Sequence, residues 1–307
     1  MGKIYAIGES LLDIIFRIGQ LQTAKAGGSM LNSAVSLGRI GLPVSFISEY
    51  GLDDTGNLID AFLRQNGVNT GFVHRYDDGN TAIALAFLNE NNDARYTFYK
   101  NYPEKRLQFV FPEIMSDDTV LCGSFYAISA EIREKFSGFI KSAGSKNALI
   151  IYDPNFRKSH LKELEKLKPF IIENLRAATL VRGSDEDFRY IFDSESHEQA
   201  WDAIREYCSC LVYTANDDGV YVKTPSFSGK FPVRKITPVS TIGAGDNFNA
   251  GMIASFHRNN ISKDILEKMG EKEWGDAINM AVEFATHVCL SYENYISDDF
   301  AKELRNK

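Results

Sequence analysis

Short apolar runs alternate along this chain with stretches whose apolar residues recur at the spacing of a helix. The apolar runs predict strands at residues 3–7, 44–48, 120–122, 149–152, 178–181 and 211–214. The periodic stretches predict helices at residues 29–40, 55–66, 130–143, 161–174, 198–208, 246–256 and 274–290. Strands and helices that alternate in this way predict an α/β fold, with a mostly parallel sheet and helices on both of its faces.

Some segments depart from this alternation because they are strand-like without a helix between them. Residues 12–18 lead away from the first strand, and residues 81–89 and 94–100 predict a hairpin whose turn is at residues 90–93. Residues 210–214 and 220–223 flank a polar turn and predict a later hairpin.

The length and composition fit one domain rather than several. The chain has 307 residues, of which 44% are hydrophobic, and it shows no internal repeat or low-complexity linker. A single domain over residues 1–307 is therefore predicted. The formal net charge of −7 disfavours non-specific binding to nucleic acid. No run of about 18 apolar residues is present, so no membrane span is expected.

The start of the chain and its cysteines predict a cytoplasmic protein. The first predicted strand begins at residue 3, which leaves no room for a signal peptide. The cysteines lack the spacing of a metal site. They are Cys122, Cys208, Cys210 and Cys289. Scattered thiols of this kind are typical of a reducing cytosol.

The turn Gly243-Ala244-Gly245 stands directly before Asp246, which opens an apolar helical segment. A helix that begins here directs unpaired backbone N–H groups and the positive end of its dipole into the turn, and this arrangement attracts an anion, most often a phosphate. Because a carboxylate repels a phosphate, Asp246 makes chemical sense as a base that removes a proton from an attacking hydroxyl. Standing alone, the same residues would indicate only a glycine turn capped by an aspartate.

A second glycine pair, Gly27-Gly28, precedes a predicted helix that carries Asn32 about one turn in. The pair lets the backbone approach a ligand, and the Asn32 amide offers a donor and an acceptor to a polyol hydroxyl. Asp13 follows the first strand, where open α/β sheets bind ligands. These residues predict a site for a hydroxyl-bearing acceptor.

Together with Gly8-Glu9-Ser10-Leu11-Leu12-Asp13, these two segments resemble the signatures of the ribokinase-like PfkB family of sugar kinases. The first signature comprises Gly27, Gly28, Asn32, Gly38, Gly41 and Gly51, and the second comprises Thr241, Gly243, Ala244, Gly245 and Asp246. The resemblance covers nearly the whole chain and keeps the family's order. It implies a ribokinase-like three-layer α/β/α fold. It also implies a small β lid, from about residues 12–26 and 81–100, which covers the sugar site and can form a homodimer contact.

The resemblance also implies roles for the residues on the acceptor side. Asp246 is the catalytic base, and Gly243, Ala244 and Gly245 supply N–H donors to the phosphoryl group. Further positions hold the acceptor or cover it from the lid. They are Asp13, Gly27, Gly28, Asn32, Arg95, Phe98, Tyr99 and Arg157.

Two of these assignments leave alternatives open. Alternating aromatic residues on a lid strand are also typical of simple packing. Arg157 ends a segment that resembles Asp-x-Asn-x-Arg of fructokinases and ketodeoxygluconate kinases. It would either reach a phosphate or substrate oxygen, or tie its own loop through a salt bridge.

ATP and Mg²⁺ are the cofactors that the resemblance implies. The ATP-binding positions are Arg182, Ser184, Thr214, Asn216, Gly219, Gly243, Gly245, Val282 and Ala285. Asp187 is assigned to Mg²⁺ through water. Asn216 replaces a glycine of the family, which its tolerance of positive φ allows. Ser184 and Asp187 replace Asn and Glu of an Asn-x-x-Glu segment, or simply start a helix. Val282 and Ala285 would equally be core positions.

A monovalent-cation site is not expected. The family usually carries Asp at the position of Ser240 and a Gly-Ala dipeptide near residues 291–294. In potassium-activated members that Asp helps to bind the cation, so its loss predicts little or no K⁺ dependence.

The leading functional hypothesis is an ATP-dependent sugar kinase with fructose as its acceptor. Glu9, the glycine pair and residues 153–157 favour this choice. Ketodeoxygluconate kinase is the alternative, with Arg157, Arg95 or Lys100 as partner of the substrate carboxylate. A nucleoside kinase is a further alternative, which the short lid disfavours.

A hypothesis of another class is a catalytically silent sugar-binding or regulatory protein on the kinase fold. Ser240 and Asn216 suggest it, and the intact Asp246 motif argues against it. A dehydrogenase is a third option for a doubly wound fold, which the absence of a Gly-x-Gly-x-x-Gly after the first strand disfavours.

Overall fold

The computed structural model of the protein describes residues 2–88 and 94–306. Within these ranges the strands are β1 (Ile4–Ile7), β2 (Leu11–Arg17), β3 (Gln20–Gly27), β4 (Val44–Gly51), β5 (Asn69–Tyr76), β6 (Asn80–Leu88), β7 (Ala94–Asn101), β8 (Thr119–Gly123), β9 (Leu149–Asp153), β10 (Leu180–Ser184), β11 (Leu211–Ala215), β12 (Gly219–Lys223) and β13 (Ser228–Phe231). The α-helices are α1 (Ser29–Arg39), α2 (Asp54–Gln65), α3 (Arg133–Ser145), α4 (Leu164–Ala177), α5 (Asp185–Phe192), α6 (His197–Ile204), α7 (Ala244–Arg258), α8 (Lys263–Leu266), α9 (Glu271–Cys289) and α10 (Asp298–Arg305).

The main sheet has the strand order β13-β12-β11-β10-β9-β8-β1-β4-β5 over the described residues. Pairing is parallel from β5 to β11, and only β12 and β13 at one edge are antiparallel. Strand β1 lies between β8 and β4. The strands that follow β1 in the chain are therefore added first on its β4 side and later on its β8 side. This topological switch creates a crevice at the carboxyl ends of these strands, where such sheets bind ligands.

The sheet separates two apolar cores. Along β1, Ile4 and Ala6 belong to one core and Tyr5 and Ile7 to the other, as the two-residue period of a strand requires. Helices α1, α7 and α9 supply buried residues to the first core, and α3, α4 and α5 supply them to the second. The predicted fold class, a three-layer α/β/α arrangement around a mostly parallel sheet, is confirmed.

A second sheet, of order β3-β2-β6-β7, contains the segments that are predicted to form the lid. Strand β2 pairs antiparallel with β3 and parallel with β6, and β6 pairs antiparallel with β7. The predicted turn at residues 90–93 lies outside the described residues. The hydrophobic pattern missed β3, as well as the edge strands β5 and β13 of the main sheet. These strands carry many exposed or half-exposed positions, so their apolar runs are broken.

Several helix boundaries also differ from the predicted ones. The predicted starts at residues 130 and 161 fall in 3₁₀ turns at Ala130–Ile132 and Lys158–Glu163, and the α-helices begin after them. Helix α6 stops at Ile204, short of the predicted end. Within the described ranges, no helix has both the length and the apolar character that crossing a membrane requires.

Candidate functional site

Helix α7 begins at the glycine turn that the sequence singles out. Gly243 precedes the helix with a φ of 79°, in the left-handed region, and a Cβ there would lie 2.7 Å from the carbonyl oxygen of Asn294. Only glycine fits such a turn without strain. Among the described residues, no hydrogen bond engages the backbone N–H of Gly245 or Asp246, whereas Ala244 donates to Thr241 at 3.2 Å. The helix start therefore offers free donors to an anion.

Asp246 itself is buried, with 8% of its surface exposed, and it is held by the neighbouring helix α1. The Asn32 side-chain amide donates to Asp246 Oδ2 at 2.8 Å, and the Ser33 hydroxyl donates to the Asp246 carbonyl oxygen at 2.7 Å. The other Asn32 amide atom, Oδ1, is buried with no partner among the described residues. A buried acceptor left without a donor fits the hydroxyl of a bound ligand.

The environment of Asp246 shifts its titration toward neutral pH. Burial raises the pKa of Asp246 to about 6, and the nearby Asp153 carboxylate adds to the rise. The hydrogen bond from Asn32 and the positive charges of Arg157 and Arg182 oppose it. A carboxylate whose pKa lies near the working pH is suited to general base catalysis.

Asp13 lies on β2, where it faces Lys25 across the β2–β3 pair. Burial raises the pKa of Asp13 to about 7, the Lys25 ammonium opposes this rise, and the Glu9 carboxylate adds to it. A Cβ on Gly27 would lie 2.0 Å from Asp13 Oδ2. Gly28 has a φ of 133° and packs against the Glu9 carbonyl, so the glycine pair joins the strand end to the start of α1.

Arg182 lies directly beneath the glycine turn. Its Nη1 atom would be 2.8 Å from a Cβ on Gly245, and the side chain is buried. Nη1 donates to Asp153 Oδ2 at 3.1 Å, and Nη2 donates to Thr214 Oγ1 at 2.9 Å. Asn249 on α7 donates to the same Asp153 oxygen at 2.6 Å. The network fixes a guanidinium charge under the place where an anion would bind.

Ser184 and Asp187 form the capping box at the start of α5. Asp187 Oδ2 accepts from the Ser184 N–H at 2.7 Å and from the Ser184 hydroxyl at 2.6 Å, and Oδ1 accepts from the Phe156 N–H at 2.6 Å. Oδ2 thus serves the helix start that the sequence offered as the other interpretation, and Oδ1 holds the loop after β9. The assignment of Asp187 to Mg²⁺ stays a prediction.

The donor set fits a Mg²⁺ ion that arrives with a nucleotide rather than one held by the protein alone. In the described residues, no group of three or more His, Cys, Asp or Glu side chains is placed to hold a metal ion. Both oxygens of Asp153 already accept hydrogen bonds, from Asn155, Arg182 and Asn249. Mg²⁺ bound to phosphates usually keeps several waters, and such waters can reach these carboxylates.

The predicted nucleotide positions include the turn after β11 and two residues of α9. Asn216 has a φ of 46° and Gly219 a φ of 123°, so asparagine does adopt the positive φ that its place in the turn requires. Val282 and Ala285 on α9 are half-buried against the core. The sequence analysis did not single out a group of exposed apolar side chains in the segment before α7 and in the segment after α9, whose apolar surface would suit a planar base. They are Val239, Ile242, Leu290 and Tyr292.

The lid residues divide between two faces. Tyr96 and Phe98 stack at 5.8 Å, and Lys100, two residues further on the same face, donates to Glu9 Oε1 at 2.6 Å. This face therefore looks toward the site. Arg95 and Tyr99 have the opposite parity on β7, and Arg95 lies over the Phe87 ring at 5.8 Å. The structure brings Phe98 to the site and keeps Arg95 and Tyr99 on the outer face.

Tyr96 and Arg157 complete the surroundings of the acceptor side. Burial and the Asp13 carboxylate raise the pKa of Tyr96, and the Arg157 charge opposes the rise. Arg157 is exposed in the loop after β9, and its charge acts on both Tyr96 and Asp246. Its charge is thus near both the lid residue Tyr96 and the predicted base. The two-residue period of β7 would have identified Tyr96 once one site-facing residue was known.

Comparison with known proteins first identifies the family and a plant relative. The pfkB family carbohydrate kinase profile matches residues 3–299. Fructokinase-1 from Zea mays is 26% identical over 291 residues, which cover 91% of this chain and 88% of the maize protein.

Solved structures share the fold over nearly the whole chain. Aminoimidazole riboside kinase from Salmonella enterica, complexed with aminoimidazole riboside and an ATP analog, is 19% identical, with a TM-score of 0.85 over 99% of each chain. A fructokinase double mutant from Vibrio cholerae O395, bound to fructose, ADP and a potassium ion, is 19% identical, with a TM-score of 0.84 over 99% of this chain and 98% of its own.

Proposed function

Because the chain belongs to the pfkB family of carbohydrate kinases, it is a phosphotransferase that acts on a sugar hydroxyl, and we propose that it uses ATP to phosphorylate a neutral sugar, with fructose as the first candidate. The similarity to maize fructokinase-1 over 91% of the chain supports this acceptor. The observation that carries the proposal is Asp246, a buried carboxylate with a pKa near 6 at the start of α7, beside free backbone donors.

The proposed reaction gives each of these residues a step that its position supports. Asn32 and Asp13 hold the acceptor hydroxyls, and Asp246 takes the proton from the hydroxyl that attacks the γ-phosphorus. The N–H groups of Gly245 and Asp246 and the Arg182 guanidinium stabilise the charge on the moving phosphoryl group. Mg²⁺, when it is bound with ATP, would neutralise phosphate charge near Asp153 and Asp187.

The acceptor is tested by ADP release with Mg-ATP across fructose, ribose, 2-keto-3-deoxygluconate, tagatose, adenosine, inosine and fructose 6-phosphate. We expect the highest kcat/KM for fructose or another neutral ketose. A higher kcat/KM for a nucleoside would favour the nucleoside kinase, which the structural similarity to aminoimidazole riboside kinase supports. Binding of ATP and sugar without turnover would instead support the silent regulatory protein.

The two faces of β7 predict different effects on the KM for the sugar when an aromatic ring is removed from each. Phe98→Ala removes a ring from the site-facing side and should raise the KM for the sugar by roughly threefold to tenfold. Tyr99→Ala removes a ring of similar size from the outer face and should leave KM nearly unchanged. Steady-state kinetics on both variants checks the pair. Equal effects on KM would contradict the assignment of the faces.

The buffer cation should have little effect on turnover. Ser240 stands where the family usually carries Asp, and its hydroxyl already accepts a hydrogen bond from the Ile242 N–H at 3.2 Å. We expect similar kcat values in potassium and choline buffers. The fructokinase from Vibrio cholerae, whose structure contains potassium, is a suitable comparison enzyme. Strong activation by K⁺ would contradict this account.

We also propose a homodimer contact through the outer lid face and a cytoplasmic location. Phe16 and Phe87 stack at 5.2 Å on that face, where Tyr99 is 60% exposed, so an apolar surface is available. A molecular mass in solution equal to that of a single chain would rule out the dimer. All four cysteines are free thiols, which supports a reducing compartment.

A further inference from the structure

A cavity of about 380 Å³ opens at the switch point of the main sheet. Glu9, which follows β1, lines one side, and Phe125 and Tyr126, which follow β8, line the other. Tyr102 and Arg106 from the segment after β7 also line it. The residues that hold the acceptor in the proposed function, Asp13, Asn32 and Asp246, do not line this cavity. It is therefore an additional space rather than the same one.

The cavity adjoins the acceptor site through two residues. The Glu9 carbonyl packs so tightly against Gly28 that a Cβ there would lie 2.2 Å from its oxygen. Lys100 stands over the Phe98 ring at 5.1 Å, on the lid face that looks toward the site. A sugar held beside Asn32 would thus direct its far end, or a substituent on it, past Glu9 into the cavity.

In the part of the chain that the structure describes, two cationic side chains line the cavity, and each is already paired with a carboxylate. Lys100 donates to Glu9 Oε1 at 2.6 Å, and the Tyr102 hydroxyl donates to the same oxygen. Arg106 pairs with the buried Glu49, and its guanidinium lies 3.6 Å from the centre of the Tyr102 ring, which covers one of its faces. A ligand carboxylate or phosphate would therefore have to compete with Glu9 for Lys100 and with Glu49 for Arg106.

The remaining charges in the cavity are negative. Glu104 and Glu131 line it and are exposed. The Ser129 hydroxyl donates to Glu131 Oε2 at 2.5 Å, and this hydrogen bond, with Arg106 and Lys100 further off, lowers the pKa of Glu131. The walls therefore present acceptors to O–H and N–H groups and repel anions.

We propose that this cavity is a distal acceptor subsite, and that Glu9 restricts it to uncharged or amine-bearing parts of the acceptor by holding Lys100. The proposal rests on the proposed function, because it takes the sugar to bind at Asn32 and Asp13. It assigns Glu9 a part in specificity: the residue selects against sugar acids and sugar phosphates. Without its carboxylate, Lys100 would become available to pair with an anionic substrate.

The test compares fructose with 2-keto-3-deoxygluconate, which carries a carboxylate, in the wild type and in Glu9→Gln. We expect the wild type to favour fructose, and Glu9→Gln to raise the ratio of kcat/KM for the sugar acid to that for fructose by at least about tenfold. Lys100→Met in the Glu9→Gln background should abolish that gain. Glu165→Gln makes the same change in charge on the exposed surface of α4, outside the cavity, and should leave the ratio unchanged.

Calorimetric binding of both sugars to the same variants separates this proposal from the proposed function. If no sugar is phosphorylated, the kinase proposal fails, but preferential binding of fructose that reverses toward the sugar acid in Glu9→Gln would still support the subsite. An equal ratio in the wild type and in Glu9→Gln, by turnover and by binding, would overturn it. So would a wild type that prefers the sugar acid.

Discussion

Asp246→Asn is expected to lower kcat by about 10²- to 10⁴-fold, the usual contribution of a positioned general base. The amide keeps the size of the side chain and can still contact Asn32, so the KM for the sugar should change much less. Because burial raises the pKa of Asp246 to about 6, the wild-type rate should fall as the pH drops through that value and the base becomes protonated. The rate of Asp246→Asn should not show this fall at low pH. Rates from pH 5 to 8 check both statements.

A matched substitution keeps this test specific. Asp276 is exposed on α9, and Asp276→Asn makes the same change in charge away from the site. That variant should retain the kcat and KM of the wild type, and its rate should fall at low pH as the wild-type rate does. An Asp246→Asn enzyme that keeps most of its kcat, or that shows the same pH dependence as the wild type, would rule out Asp246 as the base.

Arg182→Met is expected to lower the free energy of unfolding by about 3–5 kcal/mol, because it leaves the buried Asp153 carboxylate without its cation. Asp153 is 1% exposed, so solvent cannot replace the lost partner. Turnover should also fall, since the guanidinium beneath the glycine turn would no longer oppose phosphate charge. Urea unfolding and steady-state kinetics measure the two effects separately.

The double variant Asp153→Asn with Arg182→Met separates stability from catalysis. It removes both buried charges, and the amide introduced by Asp153→Asn would still offer an oxygen to the Asn249 side chain, so most of the lost stability should return. Turnover should stay low, because the positive charge is still absent. A double variant as unstable as Arg182→Met, or a fully active one, would contradict the role given to this pair.

Local patterns were enough to predict the layers of the fold and the residues at the ends of its strands. The strand and helix periods predict β1, β8, β9, β10 and β11 in one parallel sheet, and the turn before Asp246 predicts a helix start that is suited to an anion. The edge strands β5 and β13 were not predicted, because solvent-facing positions interrupt their apolar runs.

What the sequence could not supply are contacts between distant segments. Asn32 and Asp246 are 214 residues apart, yet they share a hydrogen bond that depends on how α1 packs against α7. The position of Arg182 beneath Gly245 likewise depends on tertiary packing. The pairing of Lys100 with Glu9 and of Arg106 with Glu49 affects which cations are available to a substrate, and both pairs join segments that are far apart in the sequence.

The most direct test of the account is to measure ADP and sugar phosphate together when the wild-type protein is incubated with Mg-ATP and fructose. We predict that both products form in equal amounts and that ADP release depends on the sugar. ADP without sugar phosphate, or no turnover although calorimetry shows that ATP and fructose both bind, would contradict phosphoryl transfer to a fructose hydroxyl.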